Sequence, residues 1–470
     1  MDVQFYNTRS RAKERFEPRL SGQATLYACG PTVYRYVHIG NLRTFLMADL
    51  VRRLLDYAGY RVTQVMNITD VGHMAEDDSL TITPGEDKVL AAAAAEKKTP
   101  QEIAAYYTAD FLEAVRQMNI LPAHHYPHAT DHIPQMLEVI GQLVAKGLAY
   151  EKNGAVFYDV SRFPGYGQLS GHALADLQAG ISRVAIDETK DDPNDFLLWR
   201  TAGERRAVKW DSPWGPGFPG WHIECSAMAM HYLGPQLDLH TGGEDLVFPH
   251  HEGEIAQSEG MTGQPFVRYW LHGAHLLAEG RKMARSAGNI LRLPDLRAQG
   301  IEPLAFRLLC LGLYYRSHMN VTWESLKAAQ TNLDKLRRYV AGWAPAPRAT
   351  TLSPLAADYA QRFTSAAAED LGFPQALPIL WEMAKSDLAP GEKLALLLDW
   401  DRLLGLNLTP AISPTAPAPS PDAQALLDQR AAARAAQDWA AADRLRDQLA
   451  EHGLIVKDTK AGQTWALKNP

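Results

Sequence analysis

Between Ala24 and Asn67 the chain alternates an apolar strand, an amphipathic helix and a second apolar strand: Ala24–Ala28, Leu42–Tyr57 and Val62–Asn67. Two strands joined through a helix predict a βαβ unit, and therefore a parallel sheet in an α/β fold. The joint between the first strand and the helix reads Cys29-Gly30-Pro31-Thr32-Val33-Tyr34-Arg35-Tyr36-Val37-His38-Ile39-Gly40-Asn41. Its thiol stands at a strand C-terminus, where open α/β sheets bind ligands. Its helix start carries backbone donors and Gly40, which lets a ligand approach closely, and so suits a polyphosphate.

The rest of the chain is built around that unit. A length of 470 residues predicts two or three domains. A polar stretch, Glu76–Lys88, reads as a loop, and helical patterns follow through Gln101–Met118 and His132–Lys146. Val156–Val160 reads as a strand. Alternation fails from about 120 to 205, which predicts an insertion into the sheet domain. It returns with Leu237–His240, Glu252–Gln257 and Tyr269–His272. From Leu304 the pattern is helical. Five prolines between Leu408 and Pro421 mark a semi-rigid linker, and a helix and small hairpin close the chain. The expected domains are thus a parallel-sheet domain over 1–303, a helical bundle over 304–407, a linker over 408–421 and a C-terminal α+β unit over 422–470.

Composition excludes some classes. The net charge of −7 gives no overall attraction to nucleic acid, although a local basic face is sufficient for one. Three widely separated cysteines do not make a disulfide scaffold and fit a reducing, cytoplasmic setting. No apolar run reaches the roughly 18 residues that span a bilayer, and no secretory signal is visible.

Two constellations carry chemistry. His250 and Glu254, four apart at a helix start, share one face. With Cys29 and Cys225 they form a zinc-like donor set of two thiols, an imidazole and a carboxylate. The spacing matches no zinc finger. The two cysteines read equally as small buried apolar residues, and His231, His240 and His251 compete as ligands. Cys310 lies in an apolar helix and reads as core. Separately, Arg281-Lys282-Met283-Ala284-Arg285-Ser286-Ala287-Gly288-Asn289 is a basic, glycine-containing loop. Lys282 and Arg285 can hold polyphosphate charge, though alone such a loop also reads as a solvated turn.

Together these segments resemble the cysteinyl-tRNA synthetases, a family of class I aminoacyl-tRNA synthetases. The resemblance rests on Cys29–Asn41, Asn67-Ile68-Thr69-Asp70, Gly220–Met228, Phe248–Gln257 and Lys282–Ser286, with Gln168–Gly171, Tyr315–Ser317 and Asp443–Asp447 in support. It implies a Rossmann-like catalytic domain with an inserted connective subdomain, followed by a helical bundle and an anticodon-binding unit. It implies ATP-dependent activation of L-cysteine and transfer to tRNA(Cys), by a monomer away from membranes. Cys29, Cys225, His250 and Glu254 become the zinc ligands, with Glu254 the weak one. His38, Asn41, Lys282 and Arg285 become catalytic. Gly30, Thr32, Gly40, Met283 and Ser286 join them around ATP and its Mg²⁺, and Thr69, Trp221 and His240 line the cysteine pocket. In the C-terminal unit Arg430, Arg434, Arg444, Arg446, Lys457, Lys460 and Lys468 are available to phosphates, and Trp465 to a base.

Two signatures depart from the family pattern. Asn41 stands where the first motif ends in histidine. Ala284 and Arg285 stand where the second has serine and lysine. Two other acceptors or roles fit the same residues: a cysteine ligase acting on an amino sugar, or a non-catalytic synthetase paralogue.

Overall fold

The computed structural model describes residues 1–71, 88–172, 190–202, 206, 208–283, 289–409, 420–459 and 462–467. The stretch 76–87, Ala284, Arg285, Ser286, Lys460, Lys468 and linker residues 410–419 lie outside the described residues. So do the side chains of Lys282, Lys457 and Trp465. The chain forms two compact units, Met1–Leu408 and Thr409–Pro470.

The first unit is organised by a parallel sheet of four strands: β1 (Gln23–Ala28), β2 (Arg61–Met66), β3 (Leu237–Gly243) and β4 (Val267–Gly273). Their spatial order is β4-β3-β1-β2. Their C-terminal halves are buried, Leu26–Ala28, Val65, Met66 and Tyr269–Leu271 among them, whereas Gln23, Arg61 and Arg268 are exposed. Helix α1 (Ile39–Tyr57) crosses from β1 to β2. Its buried Leu42, Phe45, Leu46, Leu50 and Leu54 repeat at three- and four-residue spacing. Helix α2 (Trp221–Leu233) precedes β3, and α3 (Glu252–Thr262) joins β3 to β4.

From β1 the chain crosses to one side, and from its neighbour β3 to the other. The reversal opens a crevice at the C-terminal ends of these two central strands. Between β2 and α2 lie helices at Lys88–Glu96, Pro100–Gln117 and Ile133–Ala145, and an antiparallel sheet of Ala149–Lys152, Ala155–Tyr158, Phe196–Thr201 and Gly217–Pro219. Beyond β4 five helices run between Pro303 and Leu404.

One buried charge network fastens α1 to this helical part. Asp49 bonds Arg307 Nη2 at 2.6 Å and Arg53 Nε at 2.9 Å, and takes the Leu121 amide at 2.8 Å. Arg307 also donates to the carbonyls of Leu404, Met118 and Asn119. Both Asp49 and Arg307 are buried, and the extra bonds satisfy donors that desolvation would otherwise strand.

The second unit pairs helices Pro421–Ala435 and Trp439–Glu451 with a hairpin of Leu454–Thr459 and Gly462–Leu467. Ala423, Leu427, Leu449, Leu454 and Val456 make its core. Arg430 is buried and donates to both oxygens of Asp458 (2.9 and 3.0 Å) and to Gln463. It is an internal strut rather than an open phosphate contact.

Candidate functional site

Four segments converge at the crevice. Cys29 follows the last residue of β1, and Cys225 lies on α2. His250 comes from the π-helical turn Val247–His251, and Glu254 from the first turn of α3. All four are buried, and one ligand atom of each lies within 4.8 Å of the others. The Cys29 and Cys225 sulfurs are 3.9 Å apart. Glu254 Oε1 stands 3.1 Å from His250 Nε2 and 3.8 Å from Cys29 Sγ. The structure thus brings together all four predicted metal ligands.

A second set, Cys29 with His240, His251 and Glu254, meets the same distance limit. The donor chemistry favours the first set, because two thiolates and an imidazole suit zinc better than one thiolate and two imidazoles already engaged elsewhere. His251 Nδ1 is 2.7 Å from His272 Nε2, which in turn reaches Thr8 through its Nδ1. His240 Nε2 holds Glu254 Oε2 at 3.0 Å. His231 is exposed and belongs to neither set.

The electrostatics match a site for a cation that binds thiolate. Burial, then the neighbouring Cys225, pushes the Cys29 thiol up. The hydrogen bond from Cys29 in turn brings Cys225 down to about 7, against its own burial. Burial opposes the charge on Glu254, but His240 and His250 hold its carboxyl at about 2. Burial opposes the charge on His250 too, and Cys225 and Glu254 overcome it, raising the imidazole to about 10. A metal arriving here would replace the His250 and thiol protons, so the residues present fit zinc.

Two of the three predicted pocket residues, Trp221 and His240, touch this cluster; the third, Thr69, is tied to it through Asn67 and Gly30. The Trp221 ring lies 4.3 Å from that of His250. His240 is fully buried against Glu254. Thr69 Oγ1 donates to Glu224 Oε2 at 3.0 Å and accepts from Asn67 Nδ2 at 3.0 Å. Asn67 also takes the Gly30 amide at 2.8 Å. A Cβ on Gly30 would fall 1.7 Å from the Asn67 carbonyl oxygen, so this crossing requires glycine.

On the other side of Cys29 the chain enters α1 through a reciprocal cap. His38 Nδ1 accepts from the Asn41 amide, and Asn41 Oδ1 accepts from the His38 amide, both at 3.3 Å. Burial, then Arg35, lowers His38 to about 4, so its ring is neutral. With Nδ1 accepting, the ring proton sits on Nε2. Asn41, the departure from the expected histidine, keeps its amide NH₂ donors free of this cap. Gly40 faces Met283, whose Cε would lie 2.7 Å from a Cβ at Gly40. The Ile39 amide donates to Leu291 O at 2.9 Å. The start of α1 therefore meets the basic segment on both flanks. Thr32 bridges Thr69 in parallel register, which joins the two sides of the crevice.

Several contributors had no sequence signal of their own. His222 Nδ1 lies 2.9 Å from His250 Nδ1. Glu224 braces Thr69, and His272 braces His251. Only the density of histidines on segments flanking β3 could have suggested them.

Comparison with known proteins agrees with this geometry. Residues 15–331 match the family described as tRNA synthetases class I (C) catalytic domain. Residues 416–465 match the cysteinyl-tRNA ligase anticodon binding domain. The chain is 43% identical over 466 residues to cysteine–tRNA ligase 1 of Burkholderia lata, covering 98% of this chain and 96% of that protein. It is 41% identical over 488 residues to a cysteine–tRNA ligase of Thermus thermophilus, covering 100% of both. Among solved structures, Mycobacterium tuberculosis methionyl-tRNA synthetase with methionyl-adenylate shares the fold at a TM-score of 0.60 and 14% identity, covering 83% of this chain and 93% of that one.

Proposed function

The chain belongs to the cysteinyl-tRNA ligases, a class I aminoacyl-tRNA synthetase family, and on that premise we propose how its crevice divides the work between sulfur and phosphate. The enzyme uses ATP to convert L-cysteine to cysteinyl-adenylate, and then joins the cysteinyl group to tRNA(Cys). The observation that carries the assignment is the buried set Cys29, Cys225, His250 and Glu254 at the end of β1.

Zinc held by these four residues would supply recognition of the substrate as thiolate, which serine's hydroxyl matches poorly at neutral pH. His240 keeps one Glu254 oxygen for itself, leaving the other to the metal. That division would make Glu254 the weakest of the four residues that would hold the metal. Trp221 walls the pocket beside His250, and we assign Thr69, fixed by Glu224 and Asn67, to the cysteine as well.

The cysteine carboxylate attacks the α-phosphate of ATP, and pyrophosphate departs. No side chain has to take a proton from a carboxylate already ionised, so the demand falls on positioning and charge. Neutral His38 donates from Nε2 to a phosphate oxygen, and Asn41 donates from its amide. Gly30, Thr32 and Gly40 are assigned to the nucleotide side of the same turn. The family resemblance assigns Lys282, Met283, Arg285 and Ser286 to the departing pyrophosphate and its Mg²⁺. Unpaired, buried cysteines fit a reducing cytoplasm. Among the described residues no helix is long and apolar enough to cross a membrane. The match at 416–465 supports tRNA, rather than an amino sugar, as acceptor.

Cysteine-dependent ATP–pyrophosphate exchange, run beside a metal analysis, tests the assignment. Cys225→Ser is expected to lose zinc and cysteine activation together. A variant stripped of zinc that still rejects serine as well as the wild type does would refute the sulfur-selecting role.

A further inference from the structure

Outside the metal cluster, one surface combines exposed aromatic rings with cations. Tyr36 and Tyr106 are 37% and 46% exposed, and their phenol oxygens share a hydrogen bond of 2.7 Å. Buried Tyr107 packs edge-on against both rings, with centroids 5.1 Å away, and is anchored through its hydroxyl to Glu96. The exposed rings are therefore held in place. The Arg292 guanidinium carbon lies 4.4 Å from the Tyr36 centroid, and Lys98 Nζ 4.5 Å from that of Tyr106. Three carboxylates face these cations: Asp295 Oδ2 lies 3.9 Å from Arg292 Nε, and two more stand close by. Glu96 pairs with Lys98 at 2.9 Å, and Asp110 is half-buried near Arg292. Fixed rings interleaved with cations are the surface that unpaired nucleotides use, because every base has a face to stack and every phosphate a charge to meet.

The position is as informative as the chemistry. Tyr36 precedes His38 by two residues. Arg292 directly follows Leu291, whose carbonyl receives the Ile39 amide. The patch is thus joined along the chain, from two directions, to the start of α1 where ATP is placed above. A tRNA that receives a cysteinyl group must bring its terminal ribose to that adenylate. Its unpaired 3′ nucleotides must cross the surface beside it.

Resting on the function proposed above, we infer that Tyr36 and Tyr106, flanked by Lys98 and Arg292, form a stacking platform for the unpaired 3′ end of tRNA(Cys). Tyr106 takes no part in activation. It positions the acceptor for the second step.

The test uses the full-length enzyme with two readouts: cysteine-dependent pyrophosphate exchange, and charging of tRNA(Cys). Tyr106→Ala should leave exchange within about twofold and weaken charging at limiting tRNA by about tenfold, the scale of one lost stacking contact. Tyr106→Phe, which keeps the ring, should charge nearly as the wild type does. Binding of a tRNA lacking its unpaired 3′ nucleotides should be insensitive to Tyr106→Ala, whereas binding of the intact tRNA weakens. Undiminished charging by Tyr106→Ala overturns the inference. So does a parallel loss of exchange, which makes the patch structural, or equal weakening of intact and truncated tRNA, which puts the contact elsewhere. Wild-type protein that gives no exchange fails the function itself, and the platform with it.

Discussion

His222 and His250 meet Nδ1 to Nδ1 at 2.9 Å, both away from solvent. Two like nitrogens can share one proton only if one donates. His250 carries the raised basicity, so it donates and His222 accepts. The bond turns His250 Nε2 toward Glu254 and the thiols.

Removing that orienting partner should therefore reach the metal. His222→Ala is expected to lower zinc affinity by about 10- to 100-fold, the usual cost of losing such a partner. Competition against a chelator, with the helical signal checked by circular dichroism, measures it. Wild-type zinc affinity in the variant would mean that the contact with Trp221 suffices to orient His250.

Asn41 separates cap from chemistry. Asn41→Ala removes the acceptor for the His38 amide and should cost about 1 kcal/mol of stability, read from thermal unfolding. Asn41→Asp keeps the acceptor and adds charge that suits a helix start, so its stability should match the wild type. That charge faces the phosphates, and pyrophosphate exchange should fall by at least about tenfold, the effect of 1.4 kcal/mol. Full exchange in Asn41→Asp would remove Asn41 from the phosphate side.

The Asp49 network sets a stability expectation. Asp49→Asn leaves the Arg307 cation buried without its counter-charge, which should cost about 3–5 kcal/mol. The urea midpoint should shift accordingly, with unchanged slope. Burial opposes the Asp49 charge, but Arg307 and Arg53 outweigh it and hold its carboxyl below the ordinary value. The contribution is therefore complete above the unfolded carboxyl value of about 3.9 and lost as pH falls through the lower folded one. Acid titration of the variant should lack that component.

His128 works in the opposite direction. Its hydrogen bond to Asp70, at 3.0 Å, raises the imidazole above its ordinary value against partial burial. The stabilisation is full below about 6.5, the unfolded histidine value, and fades as pH rises through the folded value. Asp70→Asn should remove this slope. Urea midpoints of both proteins between about pH 6 and 8 check it, and parallel curves would rule the pair out as the source.

The βαβ core was legible because the buried C-terminal halves of its strands are largely apolar, and because one helix face repeats. Tyr269–His272 falls within β4, and Gln101–Met118 overlaps the helix Pro100–Gln117. The strand Phe196–Thr201 was not legible. It is held between Ala155–Tyr158, across the long stretch that separates them, and the short strand Gly217–Pro219, so pairing rather than its own pattern sets its register. Among site residues, Cys29 announced itself by standing at a strand end. Donor chemistry alone allowed its grouping with Cys225, His250 and Glu254 but left His231, His240 and His251 in competition; the family resemblance decided between them. His222 and His272 were silent, because a histidine that orients another looks like any buried polar residue until the fold sets the two rings together. Arg430 misled in the same way: its charge was visible, but not the Asp458 that takes it.

Gly30 has a consequence for redesign. Its bare backbone lies against the Asn67 carbonyl and its amide donates to the Asn67 side chain, so the preceding thiol is held chiefly by main-chain packing at the strand end. Cys225, His250 and Glu254 stand on helical turns, where replacements change the pocket without moving the sheet. A crevice re-cut for another amino acid must be altered from the helical wall, with the strand end as its fixed datum.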